Sequence, residues 1–561
     1  MGDKQKTRRE MLLGALGAGL GMAASGCTSE TVDNVTGDKA NKQPFAGVEL
    51  EAQMASSIHA GDAGLWTKVE SVPDAQGKVP AWPWWTNRDG NMQNADGCGP
   101  TLGDVPLAAE QFVDARRFGA RGDGCTDDRP ALQAAIDSLA KTGGTVFIPA
   151  GTYLINQKNT ASHPPLLLRG GVSLAGAGRG ATILKLGDAA NESFTQAEFT
   201  VLANFGHPYF NPNQPADGPF TITGLTVDGN LAGNPGRAGK ATACIALDNC
   251  ASPRIADVRI VNSVQYGILL GKTAGCDDGA FESLWVQACK SVGICIFRGH
   301  RHRFVNCHCL DNIQGGAAII PQLPGDDNRD HSFVNCSFNG SNVGGAAGFY
   351  IAAIVGAALE NTSLVNCEMR GNLVGMDVIG GQGALATDLR VVNCAFVGSL
   401  NTAFSINAIN GHVIGCSFID NESSGSNNGT LILEGTASGW VLTANRVKPF
   451  ADGKSGIVLR KGTSGHIIVG NQYVAAGSQD YLVTTSQVDL AASVIHSNIG
   501  GRVYDNDGKP TTADVHTVVT KATGAFTVDE LKNGRIGYRQ DTNDLVFNFG
   551  GALRKINTQP A

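Results

Sequence analysis

The stretch FGARGDGCTDDRPALQAAIDSLAKTGGTVFIPAGTYLI, Phe118–Ile155, decides the fold. Its close glycines, Cys125 and the acids Asp123, Asp127 and Asp128 invite three readings: a phosphate cradle, a metal site, or catalytic carboxylates. The residues just after the acids argue for a fourth. Leu132, Ile136 and Leu139 fall on one face of a helix. Asp127 or Asp128 stands at its N-cap and Pro130 in its first turn, and Gly143-Gly144 ends it. TVFIPAGTYLI then reads as strand, turn, strand. A short amphipathic helix beside the first strands is what a solenoid needs to cover its exposed end. In this reading the glycines make turns and Cys125 needs no reactivity.

From about residue 220 to 500 the chain repeats. VRIVNSV, LWVQACK, FVNCHCL, FVNCSF, LVNCEM, VVNCAF, VIGCSF, VLTANRV, IIVGNQY and VIHSNIG share alternating apolar residues leading to Asn, Cys or Gly. Most are followed by a glycine turn and a second short strand such as YGILL, VGICIF or SGIVL. With Ser263, Cys289, Cys307, Cys336, Cys367, Cys394, Cys416, Asn445, Asn471 and Asn498 taken as equivalent, the steps are 26, 18, 29, 31, 27, 22, 29, 26 and 27. Short strands at such a period with no helix between them predict a β-helix, with rungs about 4.8 Å apart. Cys289 through Cys416 then stack as an inward ladder of small apolar thiols. No CxxC pair or histidine spacing marks a structural metal. Stacked side chains point in parallel, which disfavours disulfides between rungs.

The quoted stretch, with VSLAGAGRGATILKL (172–186), resembles the N-terminal segment of pectate-lyase-superfamily β-helices over about 70 residues. The same segment occurs in alginate C5-epimerases, polygalacturonase-like hydrolases and phage tailspikes. The resemblance implies an all-β, right-handed parallel β-helix acting on polysaccharide, with this segment as a non-catalytic cap. It does not choose the reaction. GAGRG at 176–180 is a turn between strands, since no helix or ribose-binding acid comes after it.

A polysaccharide would lie along the outer face of one sheet. In the glycine-led strands Ile268/Leu270, Ile294/Ile296, Met376/Val378, Phe404/Ile406, Leu431/Leu433 and Ile457/Leu459 are expected inward. Phe297, Tyr350, Asp377, Asn407, Glu434 and Arg460 are then expected outward. RGHRHR (298–303) and DDNRDH (326–331) come after strands of adjacent rungs, so Arg298, His300, Arg301, His302, Asp327, Arg329 and His331 are expected to converge at one rim.

Eliminative cleavage of a uronate needs a cation beside the carboxylate, a base for the C5 proton and an acid for the leaving oxygen. The rim with Lys272 and Tyr350 supplies candidates: Arg298 or Arg329 as neutraliser, His300 or His331 as base, Tyr350 as acid. Asp327, Asp377, Asn407, Glu434 and Arg460 are candidate substrate contacts. Hydrolysis needs two carboxyl groups, about 6.5–9.5 Å apart for inversion. Asp377 and Glu434, two rungs or roughly 10 Å apart, are the candidate pair, with Asp326 and Asp327 as further candidates. The YGFDPH-type motif of the epimerases is replaced by Tyr266-Gly267-Ile268-Leu269-Leu270-Gly271, which lacks acid and histidine. Of the polygalacturonase NTD, DD, GHG and RIK motifs, only Cys276-Asp277-Asp278-Gly279 has a counterpart. The expected function is therefore β-eliminative cleavage of an alginate- or pectate-like polymer. The alternatives are a hydrolase using Asp377/Glu434 and a non-catalytic glycan-binding surface protein. No motif indicates a cofactor, and a calcium requirement stays open.

The 561-residue chain has a net charge of −7, which supplies no excess of cations for nucleic-acid binding. At its start, KTRREMLLGALGAGLGMAASGC resembles a twin-arginine export signal, with Arg8 and Arg9 as the pair. ASGC resembles a lipoprotein cleavage box. Export to the periplasm or cell surface with lipid on Cys27 is expected, as the chain's one membrane attachment. Twin-arginine substrates fold before export, which fits free buried thiols. The expected organisation is a signal at 1–27, a tether and lead-in at 28–110, the β-helix at 111–505 and a small β module at 506–561. In the lead-in, Trp82, Trp84 and Trp85 read as core cover or as a sugar-stacking platform. In the last module Asn543-Asp544 signals a hairpin, and weak similarity to phage tail modules leaves monomer and homotrimer open.

Overall fold

The computed structural model describes residues 111–157, 165–190, 200–234, 242–341, 347–380, 386–424, 429–450 and 455–474, with shorter segments on either side. The chain is a right-handed parallel β-helix. Its long sheet has 13 parallel strands, one per rung, running from Leu166–Leu168 through Tyr266–Leu270, Val292–Ile296 and Val374–Ile379 to Arg502–Tyr504. Two further parallel ladders carry the remaining walls, for example Arg303–Val305 on Ser332–Val334 and His308–Leu310 on Ser337–Asn339. A short five-stranded sheet, Gly299–His300 to Ala408–Ile409, lines the corner after the long sheet.

The helix spans Arg129–Ser138 and buries Leu132, Ala135 and Ile136. It covers an edge in a specific way: the Gln133 side chain donates to the Leu167 carbonyl at 3.1 Å and accepts from the Leu167 N–H at 2.9 Å. Gln133 thus satisfies the backbone of the first long-sheet strand, which would otherwise be an open template. The acids divide the work differently from the simplest capping scheme. Asp128 occupies the N-cap but turns its buried carboxylate back to accept from the Arg121 and Gly122 N–H groups, at 2.6 and 3.0 Å. Asp127 accepts from the Arg129 N–H at 3.2 Å. Gly122 is required by geometry: its φ is +64°, and a Cβ there would meet the Tyr153 ring at 2.8 Å.

Every residue expected to point inward from the long sheet is buried in one continuous core. The VNC motif now has a cause. Asn306, Asn335, Asn366 and Asn393 have φ between +52° and +55°, and Gly415 has φ +65°, turning the chain at a corner so that the next residue points inward. Cys307, Cys336, Cys367, Cys394 and Cys416 are those inward residues. Each thiol donates to its own i−2 carbonyl and to one of the preceding rung, as Cys367 does to Val365 and Phe333 at 3.5 and 3.4 Å. Asn445, Asn471 and Asn498 continue the row, Asn445 donating to the Val413 carbonyl at 2.8 Å. Thiol and amide interchange because both can donate backwards.

The row must be corrected at its start. Pairing of Trp285 with His308 makes Leu284 the equivalent of Cys307, and pairing of Arg259 with Trp285 adds Val258. Cys289 belongs to the opposite corner, where its N–H donates to Asn312 at 3.0 Å. The anomalous step of 18 was this change of corner.

His302, His331 and His466 are fully buried in a second inward row. Nδ1 of His302 accepts from the Gly279 N–H at 3.1 Å, and that of His331 from the His302 N–H at 3.4 Å. Burial pushes His331 down to about 3 and His466 to about 4, and His302 well below the usual range. Between those values and 6.5 the unfolded chain binds protons that the folded chain does not, so stability rises with pH across this window. Melting temperature is expected to fall steadily as pH drops from about 6.5 to 4, and a His331→Phe variant should show a shallower fall.

The lead-in unit, 22–109, contains an antiparallel pair, Trp66–Val69 with Trp84–Asn87. Trp82, the export signal and Cys27 lie outside the described residues. At the other end Ile536–Arg539 and Asp544–Phe549 form the expected antiparallel pair, extended by Ala552–Asn557 and by Val518–Lys521 in parallel.

Candidate active site on the outer face of the long sheet

The outward residues of the long sheet form two rows. The first pairs Leu269, Cys295, Ala318, Tyr350, Asp377, Ser405 and Ile432 from rung to rung. The second, one position past the strand ends, holds Phe297, Ile320, Asn407, Glu434 and Arg460. Tyr350 and Asp377 therefore stand in a different row from Asn407, Glu434 and Arg460, a correction to the single stripe. Toward the N-terminus the face is apolar, with Tyr266, Leu269, Phe297 and Ile320 clustered. Toward the C-terminus it becomes polar. Ser405 donates to Glu434 at 3.1 Å, and Arg460 pairs with the other Glu434 oxygen at 2.7 Å. Asp377 is adjacent to Ser405 in register and 7% exposed. Asn407 bridges turns instead, donating to the Gly380 carbonyl at 3.1 Å and accepting from the Thr436 N–H at 3.2 Å.

The rim is only partly convergent. Arg298, His300, Arg301, Asp327 and Arg329 share the outer side of the corner, whereas His302 and His331 point into the core. The base role for His331 is thereby withdrawn: it has no exposed surface to offer a substrate. The remaining basic side chains of the rim all have carboxylate partners. Arg301 pairs with Asp278 at 2.6 Å, and Arg329 with Asp327 at 2.6 Å and Glu360 at 3.4 Å. His300 sits between Asp277 at 2.9 Å and Asp327 at 3.5 Å. Asp327 thus serves the short sheet and not the long-sheet rows.

Arg298 pairs with Asp326 and donates to the Thr273 carbonyl at 2.7 Å. Asp326, 4% exposed, also accepts from the Gln322 and Leu323 N–H groups at 2.7 and 2.8 Å. The guanidinium therefore ties together two loops that flank one short turn. Arg298→Ala would leave a buried carboxylate without its cation, so a loss of about 1–3 kcal/mol is expected by denaturant titration.

The loop beside it presents Lys272. Buried Asp248 accepts from the N–H groups of Thr273, Ala274 and Gly275 at 2.7, 2.9 and 3.0 Å, and from the Thr273 hydroxyl at 2.6 Å. This fixes the backbone immediately after Lys272. Burial brings the Lys272 ammonium down to about 8, and its Nζ lies 6.0 Å from the centroid of the Tyr209 ring. Burial also raises the Tyr209 phenol, which keeps it protonated near neutrality. Tyr350 is three rungs from Lys272, about 14 Å, so the two do not meet. Asp248, Tyr209, Asp326 as a loop anchor and Ser405 were missed by the sequence reading. Among the described residues no cluster of three or more His, Cys, Asp or Glu is arranged for a metal ion.

This architecture defines the class: a parallel β-helix of pectate-lyase-like fold, with a polar face on its long sheet. The family of rhamnogalacturonase A/epimerase, pectate-lyase-like sequences matches residues 112–277. Mannuronan C5-epimerase AlgE3 of Azotobacter vinelandii is 40% identical over 136 residues, 24% of this chain and 7% of that protein. Alginate lyase 7 of the same organism is 40% identical over 114 residues, 20% of this chain and 12% of that protein. The matches thus span a small part of these relatives' length. Among solved structures, pre-mature bacteriophage phi29 gene product 12 superposes with a TM-score of 0.51 at 18% identity, over 73% of this chain and 60% of that one. That likeness concerns the fold.

Proposed function

We propose that the chain is an exported enzyme, lipid-anchored at Cys27, that cleaves an alginate-like uronate polymer by β-elimination at the Lys272 turn beside the long sheet. The observation that carries this reading is the Lys272–Tyr209 pair, which lies inside the segment, residues 112–277, matched by the rhamnogalacturonase A/epimerase, pectate-lyase-like family. A lysine with its pKa near 8 has a sizeable neutral fraction close to neutrality, as a general base requires. The neutral Lys272 amine takes the C5 proton, the electron pair forms the C4=C5 double bond, and the C4–O4 bond breaks. The Tyr209 hydroxyl protonates the leaving O4. Arg298 holds the loop and contributes positive charge near the uronate carboxylate. Epimerisation would share the first step, but Leu269 and Gly271 stand where the epimerase motif has its acid and histidine.

Hydrolysis is the second reading. It is favoured by Asp377 and Glu434, which share the outer face, with Ser405 next to Asp377 in register and donating to Glu434. Incubation with alginate, pectate and neutral glucans separates the readings. Absorbance near ~235 nm on a uronate polymer is the expected result for the enol-ether product of elimination. Reducing ends without that absorbance would mean hydrolysis, and binding without cleavage would mean a glycan-binding surface protein.

A further inference from the structure

At the corner before the short sheet, Cys250–Ala251 runs parallel to Cys276–Asp277, with Cys250 directly opposite Cys276. Their sulfurs are 3.3 Å apart. We propose that Cys250 and Cys276 form a disulfide across adjacent rungs. The expectation that stacked thiols point in parallel holds for the row Cys307 to Cys416, where every sulfur is turned onto two backbone carbonyls. Cys250 and Cys276 face each other sulfur to sulfur, at 3.3 Å. Paired parallel strands put their Cα atoms about 4.8 Å apart, inside the ~4.4–6.8 Å that a disulfide bridges. The two sulfurs would close from 3.3 Å to bonding distance through rotation of the two side chains.

The reaction requires an oxidant, which is itself a disulfide, either oxidised glutathione or a protein thiol–disulfide oxidoreductase. One cysteine thiolate attacks its S–S bond, releasing one thiol and leaving a mixed disulfide. The second thiolate then attacks the protein sulfur of that bond and releases the other thiol. Two protons leave the cysteines and two electrons pass to the oxidant. Both side chains are buried, at 5% and 0% exposure, so the reaction proceeds when this corner opens or while it folds. The closed loop is one complete rung. It includes Pro253–Val261, Tyr266–Leu270 and the Lys272 turn, so the bond would fix the rung that presents the lysine.

The test has two arms: the native chain incubated with oxidised glutathione, and the full chain refolded from denaturant in a glutathione redox buffer. The expected result is an intact mass lower by about 2 Da, two thiols protected from alkylation after denaturation, and a peptide joining Cys250 to Cys276. Reduction should then lower the melting temperature. The Cys250→Ser/Cys276→Ser variant should show no mass loss. Full alkylation of both cysteines in both arms, or linkage through other cysteines, would overturn the proposal. Persistence of the mass loss in the double variant would overturn it equally.

Discussion

Lys272→Met is expected to lower turnover on the uronate polymer by about 10²-fold or more while leaving the fold intact. Methionine keeps the apolar length of the side chain and removes the amine. Asp248 and Arg298 hold the loop through backbone groups of Thr273, Ala274 and Gly275, so the loop does not depend on the Lys272 head group. The pH profile adds a second reading of the same residue. A base with its pKa at about 8 gains its active, neutral form as pH rises, so the rate should climb through a midpoint near that value and level off. A falling limb at the same pH would assign Lys272 the role of a charge-neutralising cation. The matched comparison is His300→Ala. Its ring is bracketed by Asp277 and Asp327 on the short sheet, and a modest loss is expected there. Full activity in Lys272→Met, with normal melting, would remove the lysine from the chemistry.

Phe304→Ala is expected to destabilise the protein by about 3–5 kcal/mol. Phe304 has no exposed surface and stacks between Phe281 and Phe333, with centroid distances of 4.5 and 4.6 Å and interplanar angles of 9° and 2°. It sits in one inward row that continues through Leu364 and Val391. Each rung rests only on its two neighbours, so a cavity there weakens two interfaces at once. The surrounding backbone is fixed by ladder hydrogen bonds on both sides and has little freedom to collapse into the gap. Denaturant titration measures the loss. A change below about 1 kcal/mol would mean that the aromatic stack is not part of the cooperative core.

The fold was largely legible because a β-helix writes its rules locally. Strand alternation placed Ile268/Leu270 and Met376/Val378 inside, and the helix at Arg129–Ser138 followed from its apolar face and Pro130. The cysteine row was legible where a left-handed Asn, or Gly415 before Cys416, precedes the thiol. LWVQACK mimics that pattern, yet Cys289 belongs to another corner, while Leu284 takes the position of Cys307 in that rung. The site was harder. RGHRHR is visibly a cluster, but nothing local shows that Asp326 neutralises Arg298 from 28 residues away, or that Asp277 holds His300 from 23. His302 and His331 look identical to their neighbours in sequence, but left-handed residues just before them, Arg301 and Asp330 at φ +57° and +61°, turn them inward. The lowered pKa of Lys272 arises from burial, and Tyr209 reaches it across 63 residues of chain, so neither carries a sequence signature.

The decisive measurement is the fate of the hydrogen at C5. Alginate digested by the purified protein in D2O is followed by NMR at that position. Elimination with Lys272 as the base predicts that the new non-reducing ends lose H5 and carry a C4=C5 double bond, and that this signal disappears in Lys272→Met. New chain ends that retain H5 would contradict it and move the chemistry to Asp377 and Glu434.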